Sequence, residues 1–151
     1  MPCETRVRDV GALGHDLRMD ITFLQPDGLV RSPAFSHAAV IPPGATTVYI
    51  GGQNGVDASG AVVSPDVGAQ ALRALDNARV ALESAGVTLD DVVSWTILIH
   101  QDADLRAAHG AVAATLARDG APPLVTAARV AGLGVPGTLI EVSAIAATVR
   151  D

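Results

Sequence analysis

Cysteine is nearly missing from this chain, whose only thiol is Cys3. With no second cysteine an internal disulfide cannot form, and a thiolate nucleophile is excluded unless Cys3 is ordered. The histidines show no spacing that would place them around a shared metal; they are His15, His37, His100 and His109. We therefore expect a reducing, cytoplasmic setting and neither a metal site nor a cofactor.

Basic residues are also scarce, since ten Lys and Arg face sixteen Asp and Glu, giving a formal net charge of −6. Nucleic-acid binding depends on clustered cations that displace counterions from phosphates. The ten basic residues are scattered along the chain. Nor is any apolar stretch as long as a membrane span, and the polar residues 1–19 lack the pattern of a signal peptide. We expect no nucleic-acid partner and no membrane partner.

Aromatic residues make up only 3% of the 151 residues, whereas hydrophobic residues make up 49%. The length predicts one domain, whose core must consist mainly of Ala, Val, Leu and Ile. The apolar composition is explained either by burial of surface between copies of the chain or by an Ala-rich composition that reflects a high-GC genome. Residues 1–18 show no periodicity, so we expect a poorly ordered N-terminal extension, followed by a single domain over 19–151.

Hydrophobic periodicity and breaker residues predict the order of the elements. Ser64-Pro65-Asp66 is typical of a helix start, and Gly86 of a helix end. The predicted elements are strands over 35–41 and 46–50, a hairpin turn over 57–60 with 61–63 returning, a helix over 64–86, a strand over 92–100, a helix over 102–120 and strands over 124–130 and 138–149.

The order of the elements also predicts how the layers are arranged. Right-handed crossovers place both helices on one face of a sheet, so the fold class is α/β (α+β) with a single mixed sheet. The opposite face would then lie open to water unless another copy of the chain covers it. Apolar residues expected on that face are Val48, Ile97, Leu98, Val142 and Ile145. This arrangement predicts an oligomer.

Familiar catalytic motifs are missing, including the phosphate-binding loop, GxGxxG, HExxH and GxSxG. The segment Gly51-Gly52-Gln53-Asn54 follows a strong strand pattern and predicts either close approach of a ligand or a neighbouring backbone, or a simple bulge or turn. Glu141 interrupts an apolar strand, where it is either an enclosed proton-transfer group or a solvated side chain. His109, beside the apolar stripe of the second helix, is either a ligand contact or a partly buried structural residue.

Several motifs in fixed order resemble the RidA (YjgF) family of imine and enamine deaminases, over about residues 35–149. The matching segments are Gly51-Gly52-Gln53, Gln70 with Asn77, Ala85-Gly86 with Leu89–Val93, and Ile140–Ala146. The resemblance implies a chorismate-mutase-like fold of the bacillus type and a homotrimer. It also implies clefts between subunits, in which bound water hydrolyses the C=N bond of a small imino acid without metal or cofactor.

The departures from the family pattern concern its ligand contacts. Active members carry Pro-Ala-Arg-Ser/Thr, whose arginine binds the substrate carboxylate, but this chain reads Pro123-Leu124-Val125-Thr126. An aliphatic side chain cannot replace that charge-assisted pair, whose loss costs on the order of several kcal/mol. Phe35 replaces the family tyrosine and His109 the helix asparagine. Arg129, roughly 13 Å further along the strand, serves either a differently placed anion or the surface.

By resemblance, the predicted catalytic residue is Glu141, which would orient the water. The predicted ligand-binding residues are Phe35, Gly52, Gln53, His109, Val125 and Thr126. We expect an imine or enamine deaminase-like hydrolase whose substrate differs from the usual acidic 2-imino acids. A non-catalytic trimer that binds a small molecule is the alternative, and an endoribonuclease is disfavoured by the net charge of −6.

Overall fold

A four-stranded sheet and two helices on one of its faces dominate residues 20–149, the part of the chain that the computed structural model describes. The predicted extension, residues 1–18, lies outside this range. The elements are β1 (Thr22–Leu24), β2 (Ala38–Val40), β3 (Thr46–Asn54), α1 (Val67–Ser84), a 3-10 turn (Leu89–Asp91), β4 (Val92–His100), α2 (Leu105–Leu116), β5 (Leu124–Val130) and β6 (Ile140–Thr148). No helix in this range is long and apolar enough to span a membrane.

The main sheet has the strand order β3-β6-β4-β5 and is mixed. Strand β6 runs antiparallel to both of its neighbours, whereas β4 and β5 are parallel. Each helix therefore links two strands of the same direction, as a right-handed crossover requires. The expected mixed sheet with two helices is confirmed, and the bounds predicted for β4 and β5 match those observed.

The expectation of one sheet is wrong for the first strands. Strand β2 pairs with β1 in a separate two-stranded antiparallel sheet and not with β3, although the hairpin turn predicted at 57–60 is present, with an antiparallel bridge between Val56 and Val62. The chain between β2 and β3 contains Pro42 and Pro43. Proline has no amide hydrogen, so these residues cannot continue a ladder from β2 into the following turn.

Both helices begin at an aspartate that caps the free amide groups of the first turn. The Asp66 carboxylate accepts a hydrogen bond from the amide of Ala69 at 2.7 Å. The Asp104 carboxylate accepts from the amides of Arg106 and Ala107, so α2 starts later than the predicted residue 102 and ends at Leu116, before the predicted Gly120. Such caps satisfy donors that have no partner within the helix.

The core lies between the helices and one face of the sheet. Its largest fully buried side chains include Trp95, Leu75, Leu82 and Ile140. Helix α1 approaches β3 closely at Gly55, where a Cβ would lie 2.6 Å from the Cα of Gln70. Only glycine allows this contact between helix and strand backbones.

The open face of the sheet carries fewer apolar residues than expected. Ile97 and Val142 point toward the helices and are 4% and 0% exposed, and Val48 packs on the same core. Side chains alternate along a strand, so Ile97 and Leu98 cannot share a face. Leu98 and Ile145 remain on the open face, where Tyr49 pairs with Ile145 and is 74% exposed.

A buried amide joins α1 to the chain that leads into β6. Gln70 is 0% exposed, and its Nε2 donates to the carbonyl oxygens of Ser64 at 2.8 Å and Gly137 at 3.2 Å. Its Oε1 accepts from the amide of Leu139 at 2.7 Å. Three backbone groups therefore depend on this one side chain.

We expect Gln70→Leu to lower the free energy of unfolding by roughly 2–4 kcal/mol, because it leaves these backbone groups without partners. The matched control is Gln101→Leu at an exposed position, which should change stability by less than about 0.5 kcal/mol. Urea unfolding at one fixed protein concentration measures both. Equal effects of the two substitutions would contradict the assigned role of Gln70.

Candidate active site

Glu141 lies on β6 and faces away from the helices, onto the open side of the sheet. In the pairing register it stands between Asn54 of β3 and Leu98 of β4. The side chain is half-buried between an amide on one side and an apolar residue on the other. Of the two interpretations open from sequence, the structure favours a partly enclosed carboxylate over a freely solvated one.

A β-bulge in β3 brings the neighbours of Glu141 into place. Ile50 pairs with Ala144 but Gln53 pairs with Val142, so one extra residue is inserted at Gly51 and Gly52. Bulges of this kind redirect side chains and are common beside active sites. Because of the insertion, Asn54 and not Gln53 stands opposite Glu141.

The second glycine of the bulge makes room for the carboxylate. A Cβ on Gly52 would lie 2.4 Å from Oε1 of Glu141, whereas a Cβ on Gly51 would meet nothing within 4 Å. No side chain other than hydrogen therefore fits at position 52 while Glu141 keeps its position. The bulge expected from the glycine pair is present, and the group that approaches Gly52 is the Glu141 side chain of the same chain rather than a ligand or a backbone.

Asn54 contacts Glu141 directly and was not among the predicted site residues. It is 8% exposed, and its Nδ2 donates to Oε2 of Glu141 at 3.3 Å and to the carbonyl oxygen of Ile140 at 3.2 Å. Asn77 on α1 donates to the backbone oxygens of Asn54 and Val56 at 3.0 and 2.9 Å. The only sequence signal was a polar residue at a strand end, and the bulge gives that residue its partner.

Gln53 does not take part in this contact. Its Nε2 donates to the carbonyl oxygen of Gly51 at 3.2 Å, and it pairs with Val142. Successive side chains of a strand point to opposite sides, so Gln53 and Asn54 do not share a face.

A second group of predicted residues lines an apolar groove between α2 and β5. The groove has a volume of about 1020 Å³ and includes Phe35, His109 and Val125 in its walls. The other lining residues are mainly apolar: Leu105, Val112, Leu116, Ile97, Ile99 and Ala127. Val125 is 36% exposed and meets the groove where the family pattern has arginine.

Ser36 fixes the wall of the groove that carries Phe35. Its hydroxyl donates to the carbonyl oxygen of Pro122 at 2.6 Å, and its amide donates to that of Pro123 at 3.0 Å. These bonds tie the segment before β2 to the start of β5. Phe35 and Val125 consequently face the same groove.

Two nearby arginines, Arg118 and Arg129, bond to backbone oxygens and do not replace the arginine that the family pattern has at position 125. Arg118 donates to the carbonyl oxygens of Asp90, Val92 and Ala121, so its guanidinium is occupied, and burial lowers the pKa of Arg118. Arg129 donates to the carbonyl oxygen of Gln101. Arg106 also lines the groove, from an exposed position on α2.

The two groups lie on opposite faces of the sheet. Val125 pairs with the buried Trp95 on the helix side, whereas Thr126 pairs with Thr96 on the open side that also carries Glu141. Within one protomer the sheet separates Val125 from Glu141. No group of three or more His, Cys, Asp or Glu residues within residues 20–149 is placed to hold a metal ion.

Comparison with known proteins identifies the family of the chain. A sequence model described as endoribonuclease L-PSP matches residues 30–148. The chain belongs to this family, which includes the Rid and YjgF proteins. The resemblance inferred from the sequence motifs is thereby confirmed. No curated protein matches the chain.

Solved structures of Rid-family proteins share this fold. A Yersinia pestis protein of unknown function, YyfB, is 28% identical with a TM-score of 0.74, covering 86% of this chain and all of its own. The YjgF gene product of E. coli is 30% identical with a TM-score of 0.60, covering 74% and 85%. E. coli TdcF, solved with bound serine, is 26% identical with a TM-score of 0.61, covering 80% and 94%.

In this Rid-family chain, the two bulge glycines form a natural pair for a test. We expect Gly52→Ala to displace the Glu141 carboxylate and lower the free energy of unfolding by about 1–2 kcal/mol through loss of its hydrogen bond. Gly51→Ala, where space is open, should be neutral or stabilise by up to about 1 kcal/mol. Urea unfolding and crystal structures of both variants measure these effects. An unmoved carboxylate in Gly52→Ala would contradict the assignment.

Proposed function

We propose that this protein is a cytoplasmic, metal-independent imine or enamine hydrolase that works in clefts between the subunits of a homotrimer. The observation that carries the proposal is the Glu141 carboxylate, which Asn54 and the bulge at Gly52 hold in place although position 125 is valine. Holding a carboxylate in a half-buried position costs free energy, and carboxylates held in this way are often proton-transfer groups.

In the proposed reaction, Glu141 accepts a proton from a water molecule as the water oxygen bonds to the imine carbon. Glu141 returns this proton to the imine nitrogen, and the product is a neutral carbinolamine. Glu141 then takes the proton of the carbinolamine hydroxyl and passes it to nitrogen, so that the C–N bond breaks, ammonia leaves and C=O forms. The balance is one imine and one water giving one carbonyl compound and one ammonia, with no oxidant or metal required.

The groove between α2 and β5 indicates which substrates to expect. Val125 and Phe35 offer apolar contacts, and Arg118, the guanidinium buried at this groove, is already bonded to backbone oxygens. A substrate carboxylate beside Val125 would lose its water without gaining a partner. We therefore propose a substrate whose reacting end carries no carboxylate and whose body is apolar.

The homotrimer, with its chorismate-mutase-like arrangement, is proposed on two grounds. The open sheet face carries Tyr49, Leu98 and Ile145 without cover from the described residues, and such faces are normally buried in an assembly. The two groups of site residues also lie on opposite faces, so only different copies of the chain could bring them together across one cleft. The serine bound to the relative TdcF supports small-molecule binding in this family.

Non-catalytic binding of an apolar metabolite is the second candidate, favoured by the valine at position 125. Retention of an ordered Glu141 favours turnover over binding alone. Ribonuclease activity, suggested by the family description, is opposed by the net charge of −6.

The test of function is ammonia release from freshly generated imines, both neutral apolar imines and 2-iminobutanoate. We expect turnover of an apolar imine, little turnover of 2-iminobutanoate, and a gain on 2-iminobutanoate in Val125→Arg, because a guanidinium can bind its carboxylate in a bidentate manner. Glu141→Gln should lower kcat by about 10²-fold or more.

The matched control is Glu83→Gln, which makes the same change at an exposed position of α1 and should leave kcat unchanged. If no imine is hydrolysed but calorimetry finds an apolar ligand that is recovered intact, the binding function replaces the hydrolase.

The test of assembly is the mass in solution by light scattering. We expect the wild type to have three times the mass of one chain. Tyr49→Asp should yield monomers, because it would bury a charge in the proposed interface. Val80→Asp is the control, since Val80 is 53% exposed on α1 and lies away from the open face. A wild type that is monomeric at micromolar concentration would refute the trimer.

A further inference from the structure

We propose that Asn54 is a positioning residue of this site, which fixes Glu141 so that Oε1 is the oxygen that meets the substrate water. The inference rests on the proposed function. Its structural part, that Asn54 holds Glu141, is tested without any assay of activity.

The chemistry of its neighbours fixes the orientation of the Asn54 amide. Both groups that its Nδ2 approaches, Oε2 of Glu141 at 3.3 Å and the carbonyl oxygen of Ile140 at 3.2 Å, are acceptors. A flipped amide would place its own oxygen against two oxygens. The side chain is 8% exposed, so water cannot readily replace either partner.

The two carboxylate oxygens of Glu141 therefore have different surroundings. Asn54 binds Oε2, whereas Oε1 lies against the backbone of Gly52, where a Cβ would be 2.4 Å away. Among the described residues, neither a side chain nor a backbone amide donates a hydrogen bond to Oε1, whereas Asn54 donates one to Oε2. An oxygen without a protein donor is the one free to accept a proton from water.

The backbone at the end of β3 has a separate support. Asn77 of α1 donates to the backbone oxygens of Asn54 and Val56. The pairing of β3 with β6 and its bulge align the Asn54 side chain with Glu141. The strand register, and not Asn77, therefore sets which side chain meets the carboxylate.

A purely structural role is the competing explanation, since Asn54 also bonds to the carbonyl oxygen of Ile140. Asn77 provides a matched control. It is an asparagine of the same kind, it donates to two backbone oxygens near the same strand end, and it bonds to Asn54 and Val56 rather than to Glu141. Replacing either by aspartate removes the donors without changing the shape of the side chain.

The experiment compares Asn54→Asp with Asn77→Asp, with Asn54→Ala as a second variant that adds no charge. We expect both Asn54 variants to lower kcat by about 10- to 100-fold with KM within about twofold, as misplacement of a reacting group does. Asn77→Asp should lower Tm at least as much and leave kcat within about threefold. The side-chain carboxyl ¹³C signal of Glu141 should shift in the Asn54 variants only.

Wild-type kcat and an unchanged Glu141 signal in folded Asn54→Ala or Asn54→Asp would overturn the proposal. So would an Asn77→Asp variant that changes kcat and the Glu141 signal as much as the Asn54 variants do. If the wild type turns over no imine, the proposed function fails, while the carboxyl signal still decides whether Asn54 holds Glu141.

Discussion

The extra residue in β3 is the constraint on which the candidate site depends. Two strands paired without a bulge would place Gln53 opposite Glu141, whereas the insertion at Gly51 and Gly52 places Asn54 there and opens a space for the carboxylate. Backbone hydrogen bonds fix this register over the whole length of β6. A single displaced residue therefore determines which polar groups meet, because pairing in a sheet leaves no intermediate positions.

Because the helices cover only one face of the sheet, the candidate site residues are divided between its two faces. Both helices pack on the face that carries Trp95 and Val142, so Glu141 and Thr126 are left on the other side, and Val125 is separated from them by the sheet itself. A site that needs both Val125 and Glu141 must then include more than one copy of the chain. Under the proposed function, activity would therefore depend on assembly of the chain.

Local signals were sufficient where neighbours along the chain decide the outcome. The continuous apolar run predicted β4 over 92–100, and the spacing of apolar residues predicted α1. Both predictions succeeded because the apolar pattern and the capping residues are properties of the local sequence. The same reasoning predicted a strand at 35–41, where β2 lies, but not the partner of that strand. Its partner is β1, a three-residue strand too short to show periodicity, and pairing between segments some sixteen residues apart is decided by the fold.

The sequence by itself determined the family and the helix–strand order, because motif order and residue types can be read from the sequence alone. It also singled out Glu141 and Val125 as candidate site residues. It did not reveal Asn54. Whether an asparagine at a strand end bonds to solvent or to a carboxylate 87 positions away depends on register, and register is a property of paired strands, not of either strand alone. Only the tertiary structure decided which face each predicted residue occupies, and thereby which of them can act together.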